Sequence, residues 1–111
     1  MRAGDLRHSI QFQALKAGVD PETQEPTPGA WVDIVKLWSA IKPLSGREFI
    51  AAQAVQSEVV GRLVIRRRPG ITASMRGVYR GEIYNIQGVL PDPDSGLDYL
   101  TLPYSLGVND G

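Results

Sequence analysis

The side chains able to do chemistry are few and poorly grouped for it. His8 is the single histidine, and there is no cysteine. His8 falls on the apolar parity of an alternating segment, which favours a satisfied, partly buried ring over a general base. With one histidine and no thiolate, no zinc site of the usual ligands can be assembled. Asp92, Asp94 and Asp98 loosely match a calcium-loop spacing, but Pro93 and the missing distal Glu make a plain turn the better reading. Ser9, Ser39 and Ser45 have no base within reach of the pattern. There is no P-loop, no G-x-S-x-G and no dinucleotide fingerprint. The expectation is a chain that is not an enzyme, with no catalytic residue, no cofactor and no metal.

Charge is the other place to look for function. Twelve basic side chains balance twelve acidic ones, so global charge gives no reason to expect nucleic acid or an acidic membrane as partner. One basic cluster stands out: on a strand, Arg62, Arg66 and Arg68 share a face that Arg67 opposes. That face could hold a phosphate backbone. None of the aromatic residues interleaves with those arginines as a base-stacking platform would require. A solvated edge that discourages stray β-pairing is an equal reading, and pairing with the acidic loop, Glu48 or Glu58 of another subunit is a third. The opposite charge gathers between Lys16 and Ala30, where Asp20, Glu22 and Glu25 outweigh Lys16.

The elements that position these groups follow from period and punctuation. At 111 residues the chain reads as one domain with room for one core. No apolar run approaches the roughly 20 residues of a spanning helix, and no apolar signal region follows Arg2. Twelve glycines and eight prolines suit short strands and turns. Arg7–Leu15 alternates as a half-buried strand. Lys16–Ala30, with Gly18, Pro21, Pro26, Pro28 and Gly29, reads as a long flexible loop, functional or merely mobile. Trp31–Ile41 is apolar on both parities, as in a strand covered on both faces or one with a bulge. Pro43 ends it. Ser45 and Glu48 form a capping box for a helix over about 45–57.

That helix carries a wide apolar arc: Ala51, Ala52 and Val55 on one side, Phe49, Gln53 and Gln56 on another. It either lies over the mouth of a barrel or packs one side on its own domain and the other on a neighbouring chain. Glu58–Arg68 is a further strand, ended by Pro69-Gly70. Val78-Tyr79 and Ile83–Gln87 flank Arg80-Gly81-Glu82, a tight hairpin. Pro91–Gly96 is a turn cluster. Leu97–Leu102 is a last strand with Leu100 and Leu102 inward; Pro103 stops it and 103–111 is a loose tail. The fold class expected is mainly β: a small antiparallel barrel or sandwich of about six strands with one helix.

These residues resemble a known family, the head–tail joining (head-closure or stopper) proteins of tailed phages and prophages. The resemblance rests on Met1–Arg7 leading into His8–Gln13, on Trp31-Val32-Asp33, and on Leu37–Phe49 with its Pro-Leu-Ser-Gly-Arg-Glu block. It continues through Ala51-Ala52-Gln53, Arg66–Ile71, Met75-Arg76 and Tyr84-Asn85-Ile86, and covers residues 1 to 102. It implies a small β-barrel with one helix, assembled as a homo-oligomeric ring of about twelve copies beneath the portal and adaptor. It further implies closure of the DNA channel after packaging, a docking surface for tail proteins, and double-stranded DNA passing without sequence reading. The protein would reside in the virion, after assembly in the host cytoplasm.

By the same resemblance the 16–30 segment (Lys16, Asp20, Glu22, Glu25) reaches into the channel, where its acids would form a negative constriction. Trp31, Trp38, Arg47, Glu48, Phe49, Gln53 and Gln56 are the expected subunit interface. Arg62, Arg66 and Arg68 are the expected phosphate or partner contacts. Two other readings compete: a tail-terminator or tail-tube component, and a small barrel that binds single-stranded nucleic acid.

Overall fold

The computed structural model describes residues 5–91 and 98–107, without the side chains of Thr27 and Pro28. The expected 91–96 turn cluster, including Asp92 and Asp94, lies outside the described residues except for Pro91, as do residues 1–4 and 108–111. Among the described residues are seven strands and one helix: β1 (His8–Val19), β2 (Pro26–Pro43), α1 (Gly46–Ala54), β3 (Gly61–Arg66), β4 (Arg76–Tyr79), β5 (Glu82–Ile86), β6 (Leu90–Pro91) and β7 (Tyr99–Leu106). They form one antiparallel sheet in the order β3-β2-β1-β4-β5-β7-β6. Pairing of β3 with β7, from Gly61 opposite Tyr104 to Arg66 opposite Tyr99, joins the ends into a ring of hydrogen bonds.

The inward-facing residues explain the ring. Ile10 and Phe12 of β1, Leu63 and Ile65 of β3, Tyr84 and Ile86 of β5, and Leu100, Leu102 and Tyr104 of β7 are buried together with Ile71 and Met75. A second, smaller cluster of Leu6, Ala40, Val64 and Tyr99 covers the outer face beside β2 and β3. The apolar double parity of β2 is resolved by a bulge. Phe12 pairs with Val35 but Gln13 pairs with Asp33, which leaves Ile34 unpaired and exposed. Past that step Val35, Leu37 and Ile41 turn to the core. The Arg80-Gly81 hairpin has both residues at positive φ, 49° and 82°, as a tight primed turn requires.

Three expectations are corrected. The 16–30 segment is mostly strand: β1 and β2 stay paired, with one register shift between Lys16 and Gly18, out to Val19 opposite Pro26, and the turn 20–25 joins them. β4 covers β1 only at Gln11–Gln13, so the outer half of this hairpin is a two-stranded arm that leaves the body. The chain is therefore long, 52 × 32 × 25 Å, with a radius of gyration of 15.6 Å against about 13 Å for a compact chain of this size. Second, Pro103 does not stop the last strand, and 103–106 is not loose, because β7 runs through it to Leu106. The Pro103 carbonyl accepts Gln87 N–H at 2.7 Å. Its missing N–H faces the same side, between β6, which pairs at Leu100 and Thr101, and β5, which starts at Tyr104.

Third, the helix is shorter than expected, Gly46–Ala54. Ser45 Oγ accepts Glu48 N–H and Glu48 Oε1 accepts Ser45 N–H, each at 3.2 Å. At the other end Gln56 adopts φ 57°. Gln56 N–H donates to Gln53 O at 3.0 Å and Ser57 N–H to Ala52 O at 2.9 Å. That bond pattern is a Schellman motif, which ends the helix at a left-handed residue.

Candidate interaction surfaces

Two charged surfaces and one apolar one are built from these elements. The arm is stiffened at its root. Gln13 Nε2 donates to Asp33 Oδ1 at 2.8 Å, Arg76 Nε donates to Gln13 Oε1 at 2.9 Å, and the Arg76 guanidinium lies 4.2 Å from the centroid of the Trp31 ring. Trp31 is thus half-buried under Arg76, and its Nε1 is buried without an acceptor among the described residues. At the tip, Asp20 N–H donates to Glu25 O and Gln24 N–H to Asp20 O, both at 2.8 Å. Asp20 Oδ1 accepts Glu22 N–H at 2.8 Å, an Asx turn. The tip is a structured acidic turn, with Glu22 and Glu25 exposed and in no ion pair among the described residues; Lys16 lies further down the arm, opposite Ala30.

The basic cluster divides differently from the strand alternation expected of it. Arg62 is half-buried and binds Glu48, with Nη2 at 3.0 and 3.2 Å from the two carboxylate oxygens. The Ser45 backbone and hydroxyl hydrogen bonds, and then Arg62, hold the Glu48 carboxyl below its ordinary value. Arg62 therefore ties the helix start to β3 and does not join Arg66 and Arg68. Arg67 does join them: β3 ends at Arg66, so Arg67 and Arg68 escape strand alternation. Together with Leu6, Lys36, Leu37 and Trp38, the three line a groove of about 620 Å³. Lys36, Arg66 and Arg68 pair with no carboxylate among the described residues. Trp38 is 63% exposed.

One aromatic does stand beside the arginines, though not as a base-stacking platform. β2 pairs with β3 through Ser39 opposite Ile65, and the next step of that register sets Trp38 beside Arg66. The strand assignments contained that signal, but only register reveals it. Among the described residues Trp38 is the only aromatic side chain lining this groove, whereas tracking a nucleic-acid strand takes successive rings.

The apolar surface is α1. None of its residues is buried. Phe49 is 45% exposed and Ile50 71%, and Val55, just beyond the helix, is 75% exposed. Arg47 and Gln53 are also exposed. The helix is held by its ends: Leu44 N–H donates to Val60 O at 3.0 Å and Val60 N–H to Tyr104 O at 2.9 Å, and Glu48 binds Arg62. His8 Nδ1 lies 3.0 Å from the Tyr79 hydroxyl, a satisfied histidine. Among the described residues no His, Asp and Glu group could hold a metal ion, and no helix is long and apolar enough to cross a membrane.

The family model for phage head completion proteins matches residues 1–107. The chain belongs to this family. The family is that of a structural protein of the phage virion's head–tail region. The solution structure of protein SF1141 from Shigella flexneri 2a is similar over 98% of this chain and 99% of that one, at 30% identity and a TM-score of 0.77. A chain in the virion of a native gene transfer agent particle shares the fold, with a TM-score of 0.60 at 13% identity, over 93% of this chain and 96% of that one. No curated protein matches the sequence.

Proposed function

We propose that this head completion protein is one wall segment of a homo-oligomeric ring between portal or adaptor and tail. There it closes the DNA channel after packaging and presents the surface on which tail proteins dock. It transforms no substrate. It joins the head after synthesis in the host cytoplasm, and double-stranded DNA passes it without being read. The observation that carries this reading is the uncovered α1. A linker between β2 and β3 needs no apolar surface, yet Phe49, Ile50 and Val55 meet water. Burying such side chains stabilises by about 1.5–3 kcal/mol each, and none of the described residues supplies the burial. Head-to-tail rings require two unlike faces on every subunit; α1 supplies one, and the projecting arm is the element that would narrow the channel.

The test is complementation of particles lacking the protein with an Ile50→Asp, Val55→Asp variant. Both sites are exposed, so the isolated fold should stay within about 0.5 kcal/mol of the parent in urea unfolding. Heads should package DNA, fail to hold it and acquire no tails. Full rescue would defeat the proposal. Heads that keep their genome but take no tails would place the chain on the tail side instead.

A further inference from the structure

We infer that the groove at Trp38 receives the acidic turn of a neighbouring copy's arm, so that each subunit latches its arm onto the next. The inference rests on the ring proposed above and adds the contact that holds the arms. The two surfaces are complementary in charge. Lys36, Arg66, Arg67 and Arg68 line the groove together with the apolar side chains of Leu6, Leu37 and Trp38. The turn offers Glu22 and Glu25 on either side of Thr23 and Gln24, with Pro21 exposed just before them. Pro21 can lie flat on the indole while the carboxylates meet the guanidinium groups, an arrangement of Trp and Arg anchors typical of strong contacts. A groove of about 620 Å³ has room for the side chains of one turn.

The turn cannot reach its own groove. Trp38 lies thirteen residues beyond Glu25 along β2, a separation of about 40 Å at roughly 3.3 Å per residue, on a ribbon braced at its root by Arg76 and Trp31. The partner surface must belong to another copy. The turn is also pre-formed by its three 2.8 Å hydrogen bonds, so docking orders little new backbone. Because turn and groove are unlike patches, the contact is heterologous and propagates around a closed ring. The acids are then neutralised by the next subunit instead of facing the lumen as the negative constriction suggested by sequence.

The absence of cysteine makes disulfide trapping clean. A Thr23→Cys, Pro69→Cys chain, with Pro69 next to Arg68, is assembled into particles and oxidised. Non-reducing electrophoresis should show a ladder from dimer upward, because each copy bonds to the next. Mixing the two single-cysteine chains at high concentration should give one heterodimer band. Adding Glu22→Lys and Glu25→Lys should cut trapping about tenfold, and Arg66→Glu with Arg68→Glu should restore it. Particles that assemble normally but yield no ladder would overturn the latch and leave the ring standing. Failure of assembly in the Ile50 and Val55 variant bears on the ring alone. Quenching of Trp38 by an oligothymidine, lost on Arg66→Glu and Arg68→Glu, would make the groove a nucleic-acid site and also overturn the latch.

Discussion

Gly61→Ala tests the seam that closes the sheet. Gly61 is buried opposite Tyr104 where β3 meets β7. A Cβ there would lie 2.5 Å from the Tyr104 hydroxyl oxygen, 2.6 Å from Cζ and 2.8 Å from Cε2, all well inside van der Waals contact. The ring cannot retreat easily. It is buried and rests edge-to-face on Tyr84, with centroids 4.9 Å apart and planes at 80°. Overpacking of this kind costs about 1–3 kcal/mol. Restricting the unfolded chain returns about 0.4–1 kcal/mol, so the net loss should be about 1–2 kcal/mol. Each kcal/mol lowers Tm by about 4–8 °C in a domain of this size. Urea unfolding followed by tryptophan fluorescence reads the change, with the slope m unaltered. In a Tyr104→Leu background the three clashing atoms are gone, and the same substitution should become neutral or mildly stabilising. Equal costs in the two backgrounds, or a shift under about 0.5 kcal/mol in the parent, would refute the argument that the ring sets the close approach.

Arg76→Ala should loosen the arm without unfolding the body. Amide exchange in 14–19 and 30–33 should quicken about fivefold, in line with a stacked and hydrogen-bonded cation worth about 1 kcal/mol, while β3 amides stay protected. Glu48 has a depressed pKa in the folded chain, so its contribution is present above the ordinary value of 4.5. It is lost as pH falls through the depressed value. Circular dichroism should show helix signal falling with acid below that point, and Glu48→Gln should flatten the change. Burial raises the hydroxyl pKa values of Tyr84 and Tyr104 above 10.0. The folded state then holds protons that the unfolded chain releases, so stability should decline as pH rises past 10.0; Tyr104→Phe should reduce that slope.

Local chemistry made parts of this fold readable in advance. Ser45 and Glu48 announced the helix start because a capping box is complete within four residues. Arg80-Gly81 announced its hairpin for the same reason. What escaped depended on neighbours. Pro26 and Gly29 read as breakers, yet the arm has only two strands, so each keeps one edge toward water where a missing N–H costs nothing. Pro103 read as a stop because its gap between β5 and β6 exists only once β7 is paired. Gln56 read as a helical interface residue; its left-handed φ follows from the two cap bonds, not from its type.

The surface residues obey the same division. Trp38 and Arg66–Arg68 lie about thirty residues apart in sequence, and alternation along either strand says nothing about their meeting. Only the pairing of Ser39 with Ile65 brings them to one groove. The arm and α1 share a further property: neither is explained by the core of its own chain. A ribbon that outruns β4 and a helix with no buried residue are poor choices for a domain that folds only for itself. Local rules conflict with global packing mainly where function imposes another demand. In the ring proposed above the demand is for contact with other chains, and it falls on opposite kinds of surface: apolar on α1, charged at the arm tip and groove. A ring held by the first and latched by the second would lose tail-ready closure at high salt before it lost assembly, since screening weakens exposed charge pairs and leaves apolar burial intact.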